Sequence, residues 1–150
     1  MVHTIPFEVK ELETASYHPI LRGKINGFEV NLIIDTGASR TVIDKSITVN
    51  FPVIQIDSVE PYAAGINAQK IAVEQVEIPS FILGEVDFGK TAVFITDLSP
   101  ISQLYNEMVN FPIHGLLGCD FLENFKAKID FKTRTISVKI SKRKSHKKQK

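Results

Sequence analysis

The sequence predicts a mainly β fold, a closed or partly closed β-barrel with one or two short helices. Three observations predict it. Apolar and polar residues alternate with period 2 along most of the 150 residues. Turn residues, above all Asn26-Gly27, punctuate the alternating runs. Helical spacing is confined to two short windows. Many short strands with polar turns favour closure over an open sheet.

Taken in order, "IPFEVKEL" (5–12) alternates from the start. "HPILRGKINGFEVNLIID" (18–35) reads as a hairpin turning at Asn26-Gly27, and "RTVIDKSI" (40–47) as a further strand. "QKIAVEQVEIPSFILG" (69–84) alternates in part, and "EVDFGKTAVFITDL" (85–98) continues after a turn at Gly84. "FKAKIDFKTRTISVKI" (125–140) reads as two strands around Lys132 to Arg134. Ser99-Pro100 is the signature of a helix start, with serine as N-cap and proline at the first helical position. Ile101, Leu104, Tyr105 and Met108 follow at i, i+3, i+4 and i+7 and predict one apolar face. A second short helix is predicted from Asp120, with Glu123 completing a capping box.

The length and a 43% hydrophobic content suit one domain, over residues 1–140. No window approaches the roughly 18 apolar residues of a membrane span, and the first residues lack a secretory pattern. A cytoplasmic location without membrane contact is the expectation. The single cysteine, Cys119, excludes an intrachain disulfide. The net charge of +1 hides an asymmetry, because six of the 18 Lys and Arg lie in the last ten residues. Residues 141–150 therefore read as a basic, disordered, solubilising tail rather than a nucleic-acid contact. The four histidines, at 3, 18, 114 and 146, show no metal-ligand spacing, so neither metal nor cofactor is expected. His114 is read as a packing residue.

The chemistry concentrates at "LIIDTGASRTVI" (32–43). An apolar strand delivers Asp35 at its end and fences it with small residues. Such a carboxylate is costly unless it is hydrogen-bonded or shares a proton. Thr36 offers a hydroxyl for support. Gly37 permits close backbone approach, and Ala38 and Ser39 leave room for a ligand. Asp-Thr-Gly alone is also an ordinary turn.

With its flanks, and with "HGLLGCDFL" (114–122) downstream, the motif resembles the aspartic proteases, in particular the single-lobe retropepsin-like family. The resemblance covers about residues 18 to 138 and implies an acid-protease-type barrel. It makes Asp35 the catalytic residue, with Thr36 and Gly37 supporting its loop. It implies that the segment of Leu116, Leu117 and Gly118, with a helix from Cys119, packs against that loop. It also implies a flap at "PYAAGINAQ" (61–69). Tyr62, Ala64, Gly65 and Ile66, with Gly37, Ala38, Ser39 and Leu116, then contact substrate. Viral members often carry an acidic residue at the place of Ser39 and an arginine at that of Cys119, joined by a salt bridge. Both are replaced here, so bacterial and other non-viral members look closer.

The implied reaction is peptide-bond hydrolysis by a water activated between two carboxylates. One Asp-Thr-Gly per chain then implies a homodimer acting on a peptide or protein. Two rivals remain at this point. One is a catalytically silent member used for dimerisation or peptide binding. The other is a phosphate-binding ATPase, which needs glycine-rich phosphate loops that nothing here matches.

Overall fold

The computed structural model describes residues 1–47, 53–57 and 73–141. The fold is mainly β, as predicted, with two short helices. Its strands are β1 (Val2–Pro6), β2 (Glu8–Glu13), β3 (Ser16–Ile25), β4 (Phe28–Ile34), β5 (Val42–Asp44) and β6 (Val53–Asp57). They continue as β7 (Val73–Leu83), β8 (Val86–Thr96), β9 (Gly115–Leu117), β10 (Lys128–Asp130) and β11 (Thr135–Lys139). The helices are α1 (Ser99–Val109) and α2 (Cys119–Asn124).

Eight strands form one sheet in the order β2-β3-β4-β9-β5-β8-β7-β6. A further pairing of β3 with β7, Gly23 opposite Leu83 through Ile25 opposite Phe81, closes six of them into a barrel. A three-stranded sheet, β1-β11-β10, adds Ile5, Ile136 and Val138 to the barrel core. The predicted hairpin is β3–β4, and Asn26 and Gly27 both take positive φ, 49° and 85°. Pro79 sits inside β7, where its missing N–H would break a ladder. The register between β7 and β8 shifts at that place, between Ile78 and Phe81.

Four readings of element bounds and caps need correction. The first alternating run is two strands in different sheets, because the chain breaks at Phe7. The run at 40–47 is strand only over β5, and Lys45–Ile47 form a 3-10 turn. Ser99 is the first helical residue rather than the cap. Leu98 occupies the cap position, and Asp97 Oδ1 accepts the Ser99 N–H at 2.9 Å. The capping box at Asp120 does not form: Gly118 is the N-cap of α2, and Glu123 pairs with Lys126 at 2.7 Å instead.

The end of β4 explains its unbroken apolar run. Val30, Leu32 and Ile34 point into the barrel. Ile33 faces the other way and joins Ile20, Tyr105, Phe111 and Ile113 in a second cluster under α1. A strand covered on both faces has no polar side to show. Helix α1 buries Tyr105 and half-buries Ile101 and Val109, whereas Leu104 and Met108 are exposed. The packed stripe is therefore i, i+4, i+8, narrower than the predicted face. The helix ends at Asn110 in the left-handed conformation, with its N–H donated to Asn106 O at 3.0 Å. Helix α2 docks Phe121 against Phe88 and Phe125, with ring centroids 5.0 and 4.6 Å away.

Candidate active site

Strand β9 lies between β4 and β5, parallel to one and antiparallel to the other. Yet β4 and β5 are neighbours in sequence. The loop joining them must therefore pass around the end of β9, and that loop is Asp35–Thr41. Its crossing point is tight. A Cβ at Gly118 would stand 2.4 Å from Arg40 O and 2.9 Å from Ala38 O, so only glycine fits.

Backbone bonds lock the crossing. Asp35 N–H donates to Leu117 O at 3.0 Å, Cys119 N–H to Ala38 O at 2.8 Å and Asp120 N–H to Ser39 O at 3.1 Å. Thr41, 3% exposed, accepts the Gly118 N–H at 3.1 Å and donates to Asp120 Oδ1 at 2.7 Å. Asp120 Oδ1 also accepts the Phe121 N–H, at 2.7 Å. The Cys119 thiol donates to Thr36 O at 3.1 Å. Backbone, hydroxyl, thiol and carboxylate groups thus brace the loop.

This bracing leaves the Asp35 carboxylate half-buried, with its Oδ1 accepting the Gly37 N–H at 2.9 Å. This hydrogen bond comes from the glycine backbone, and among the described residues the Thr36 hydroxyl, expected to supply it, makes none to Asp35. Thr36, Gly37 and Ser39 are exposed, and Ala38 is half-buried. A cavity of about 490 Å³ opens beside Asp35, lined also by Thr36, Leu116, His18, Ile33 and Tyr105. The structure brings Asp35, Thr36 and Leu116 together on it. Gly37, Ala38 and Ser39 continue the same loop away from its walls. Tyr62, Ala64, Gly65 and Ile66 lie outside the described residues.

Sequence reading missed His18, Tyr105, Thr41 and Asp120 as parts of the site. Asp44 is a further omission. Its Oδ1 accepts the Leu98 N–H at 2.7 Å and so fixes the entry to α1. His114 has the packing role expected of it: its Nδ1 accepts the Asn31 N–H at 2.9 Å, and burial lowers its pKa against a smaller opposing pull from Asp44.

The segment of Leu116, Leu117 and Gly118, with the helix from Cys119, packs against the Asp35 loop, as the sequence resemblance implied. The family model for aspartyl proteases matches residues 21–121, from β3 to α2. The chain belongs to the aspartyl protease family. The matched span contains the β3–β4 hairpin, the Asp35 loop and the Gly118 crossing of this aspartyl protease family member.

Two solved structures are similar to it. One is a retropepsin-like aspartic protease from Rickettsia conorii, at 18% identity and TM-score 0.55, covering 92% of this chain and 91% of the other. The second is the retroviral protease-like domain of Ddi1 from Leishmania major, at 15% identity and TM-score 0.51, with coverage of 79% and 86%. These likenesses are of fold, and they uphold the retropepsin-like barrel. No curated protein matches the chain. Among the described residues no helix is long and apolar enough to cross a membrane.

Proposed function

We propose that the chain is an aspartic endopeptidase that hydrolyses peptide bonds, with a water activated between Asp35 and its copy in a homodimer. The observation that carries this reading is the Asp35 carboxylate, presented at a cavity by a loop whose tip is exposed. The other aspartates with described side chains are engaged locally. Asp44, Asp87, Asp97, Asp120 and Asp130 each accept a backbone N–H within a turn, cap or brace. None of them lines the Asp35 cavity. A second carboxylate from another subunit is the simplest complement, because an isologous two-fold places like residues face to face.

Two close carboxylates cannot both ionise cheaply, so the pair holds one proton. The ionised member takes a proton from the water as its oxygen attacks the scissile carbonyl carbon. The protonated member gives its proton to the carbonyl oxygen, forming a neutral gem-diol. Collapse breaks the C–N bond, and the amine leaves with a proton returned through the pair. Thr36 and Gly37 support the loop. Ala38, Ser39 and Leu116 are assigned to substrate contact, with Tyr62, Ala64, Gly65 and Ile66 as the covering flap. The domain is assigned to 1–140, with 141–150 as a basic tail outside it.

The test is Asp35→Asn, which keeps the shape and removes the shared proton. Peptidase activity is expected to vanish with the fold unchanged by circular dichroism and melting temperature. A mutant retaining most of the wild-type rate would contradict the mechanism. A folded wild type that cleaves no unfolded protein or peptide library would leave a silent binding module.

A further inference from the structure

We propose that Arg40 is a specificity residue: its guanidinium holds an acidic side chain of the peptide, glutamate or aspartate, two to four residues away from the side chain seated beside Asp35. This rests on the peptide-binding half of the function above and not on turnover.

Arg40 stands near the end of the Asp35 loop, one residue before Thr41. Thr41 turns its hydroxyl to Gly118 and Asp120. Arg40 lays its guanidinium over the Phe94 ring instead, 4.7 Å from the centroid. Phe94 is itself buried against Val42 and Leu98, so the stack rests on a fixed floor. Arg40 is half-buried, yet among the described residues its guanidinium makes no ion pair or hydrogen bond. Its nitrogens still reach solvent, because the Tyr105 hydroxyl is the one buried, unpartnered side-chain group among the described residues. Arg22 gives the contrast. It also stands over a ring, Phe111 at 5.7 Å, but its guanidinium pairs with Glu8.

Strand register places the stack beside the Asp35 cavity. Ile33, Leu116, Val42 and Phe94 stand opposite one another on the adjacent strands β4, β9, β5 and β8. Ile33 and Leu116 wall the cavity. Ile101 walls it too and packs against the cluster of Val42, Phe94 and Leu98. Neighbouring strands lie about 4.8 Å apart, so Phe94 stands roughly 10 Å beyond Leu116. An extended peptide advances about 3.3 Å per residue. A peptide that leaves the cavity across these strand ends therefore presents a side chain to Arg40 two to four residues away.

The chemistry of that side chain follows from the guanidinium. It stays charged at every usable pH, has five donors and no acceptor, and fits a carboxylate with two parallel hydrogen bonds. An amide offers less, with one acceptor and no charge, and a lysine is repelled. Arg40 is not part of the cavity lining, so an acidic side chain reaches it without entering the space beside the Asp35 charge. The two-fold proposed above would set one Arg40 on each side of the scissile bond, and an acid is then favoured on both sides.

The experiment uses non-cleavable hydroxyethylene peptides, amidated at the C-terminus so that the tested side chain is the only carboxylate. Glutamate, glutamine or lysine is placed two, three or four residues from the isostere. Binding to wild type, Arg40→Gln and Arg40→Glu is measured by calorimetry. At one of these positions wild type is expected to bind the glutamate peptide about fivefold tighter than the glutamine peptide at low salt. That preference should shrink toward unity as salt rises to about 0.5 M, a readout that needs no variant. Arg40→Gln should erase it, and Arg40→Glu should turn it into a preference for lysine. No glutamate preference at any position, a preference that survives in Arg40→Gln, a glutamate preference in Arg40→Glu, or no binding at all would overturn the assignment. A salt-sensitive glutamate preference in a protein that never cleaves peptide would uphold the assignment while removing the peptidase reading.

Discussion

Thr41 donates its hydroxyl hydrogen to Asp120 Oδ1 at 2.7 Å, and so ties the end of the Asp35 loop to the first turn of α2. The same hydroxyl accepts the buried Gly118 N–H at 3.1 Å. One small side chain thereby serves both segments of the crossing.

Thr41→Val keeps the shape and removes both bonds. It strands a buried N–H and removes one of the donors to the Asp120 carboxylate. The expected loss is about 1–3 kcal/mol of unfolding free energy in urea, with the denaturant slope unchanged. A loss below about 0.5 kcal/mol, the range of ordinary surface substitutions, would show that the brace is dispensable.

His114 gives the fold a pH dependence. Burial lowers its pKa below the ordinary histidine value of 6.5, so the unfolded chain binds more protons than the folded one as pH falls through that value. The stability that neutral His114 contributes is full above about pH 6.5 and declines below it, until the folded pKa is passed. Protonation also removes the Nδ1 lone pair that accepts the Asn31 N–H. His114→Asn retains an acceptor without titrating. Its stability should fall less than wild type between neutral and acid pH, read from denaturation midpoints. An identical pH profile in the two proteins would remove His114 from the account.

What the sequence made legible is what is local. The Asn26-Gly27 turn was readable because two residues suffice to specify it. Asp35 was readable because an apolar strand ending in Asp-Thr-Gly is a continuous pattern. The brace was not, since Thr41 and Asp120 meet only after β9 is inserted between β4 and β5. Helix α1 was found from its period, but periodicity could not tell that Leu104 and Met108 would remain exposed, at 48% and 45%. That depends on where the barrel wall stands. Tyr105 looked like any aromatic on an apolar face, and nothing within α1 itself points to the cavity its ring would line.

Met1 and Ile140 pair their backbones, with Ile140 N–H donated to Met1 O at 3.0 Å, and β11 ends just before that pair. Deleting 142–150, residues outside those described, should change neither the melting temperature nor peptide cleavage. A fall of more than about 4 °C, the shift of roughly 1 kcal/mol in a domain of this size, would show that the tail packs.

Activity should extend from acid to neutral pH and disappear at high pH, when the carboxylate pair loses the proton it shares. A pH–rate profile of kcat/KM that rose steadily into the alkaline range would require a different base.

The central claim is that the catalytic pair forms only between two copies of Asp35, and specific activity measured through dilution tests it most directly. Peptide turnover per subunit should fall as the protein is diluted through the dimer dissociation constant found by sedimentation. An excess of Asp35→Asn subunits should suppress the wild type beyond simple dilution, because mixed dimers carry one carboxylate. Full specific activity at concentrations where sedimentation finds only monomer would contradict the account.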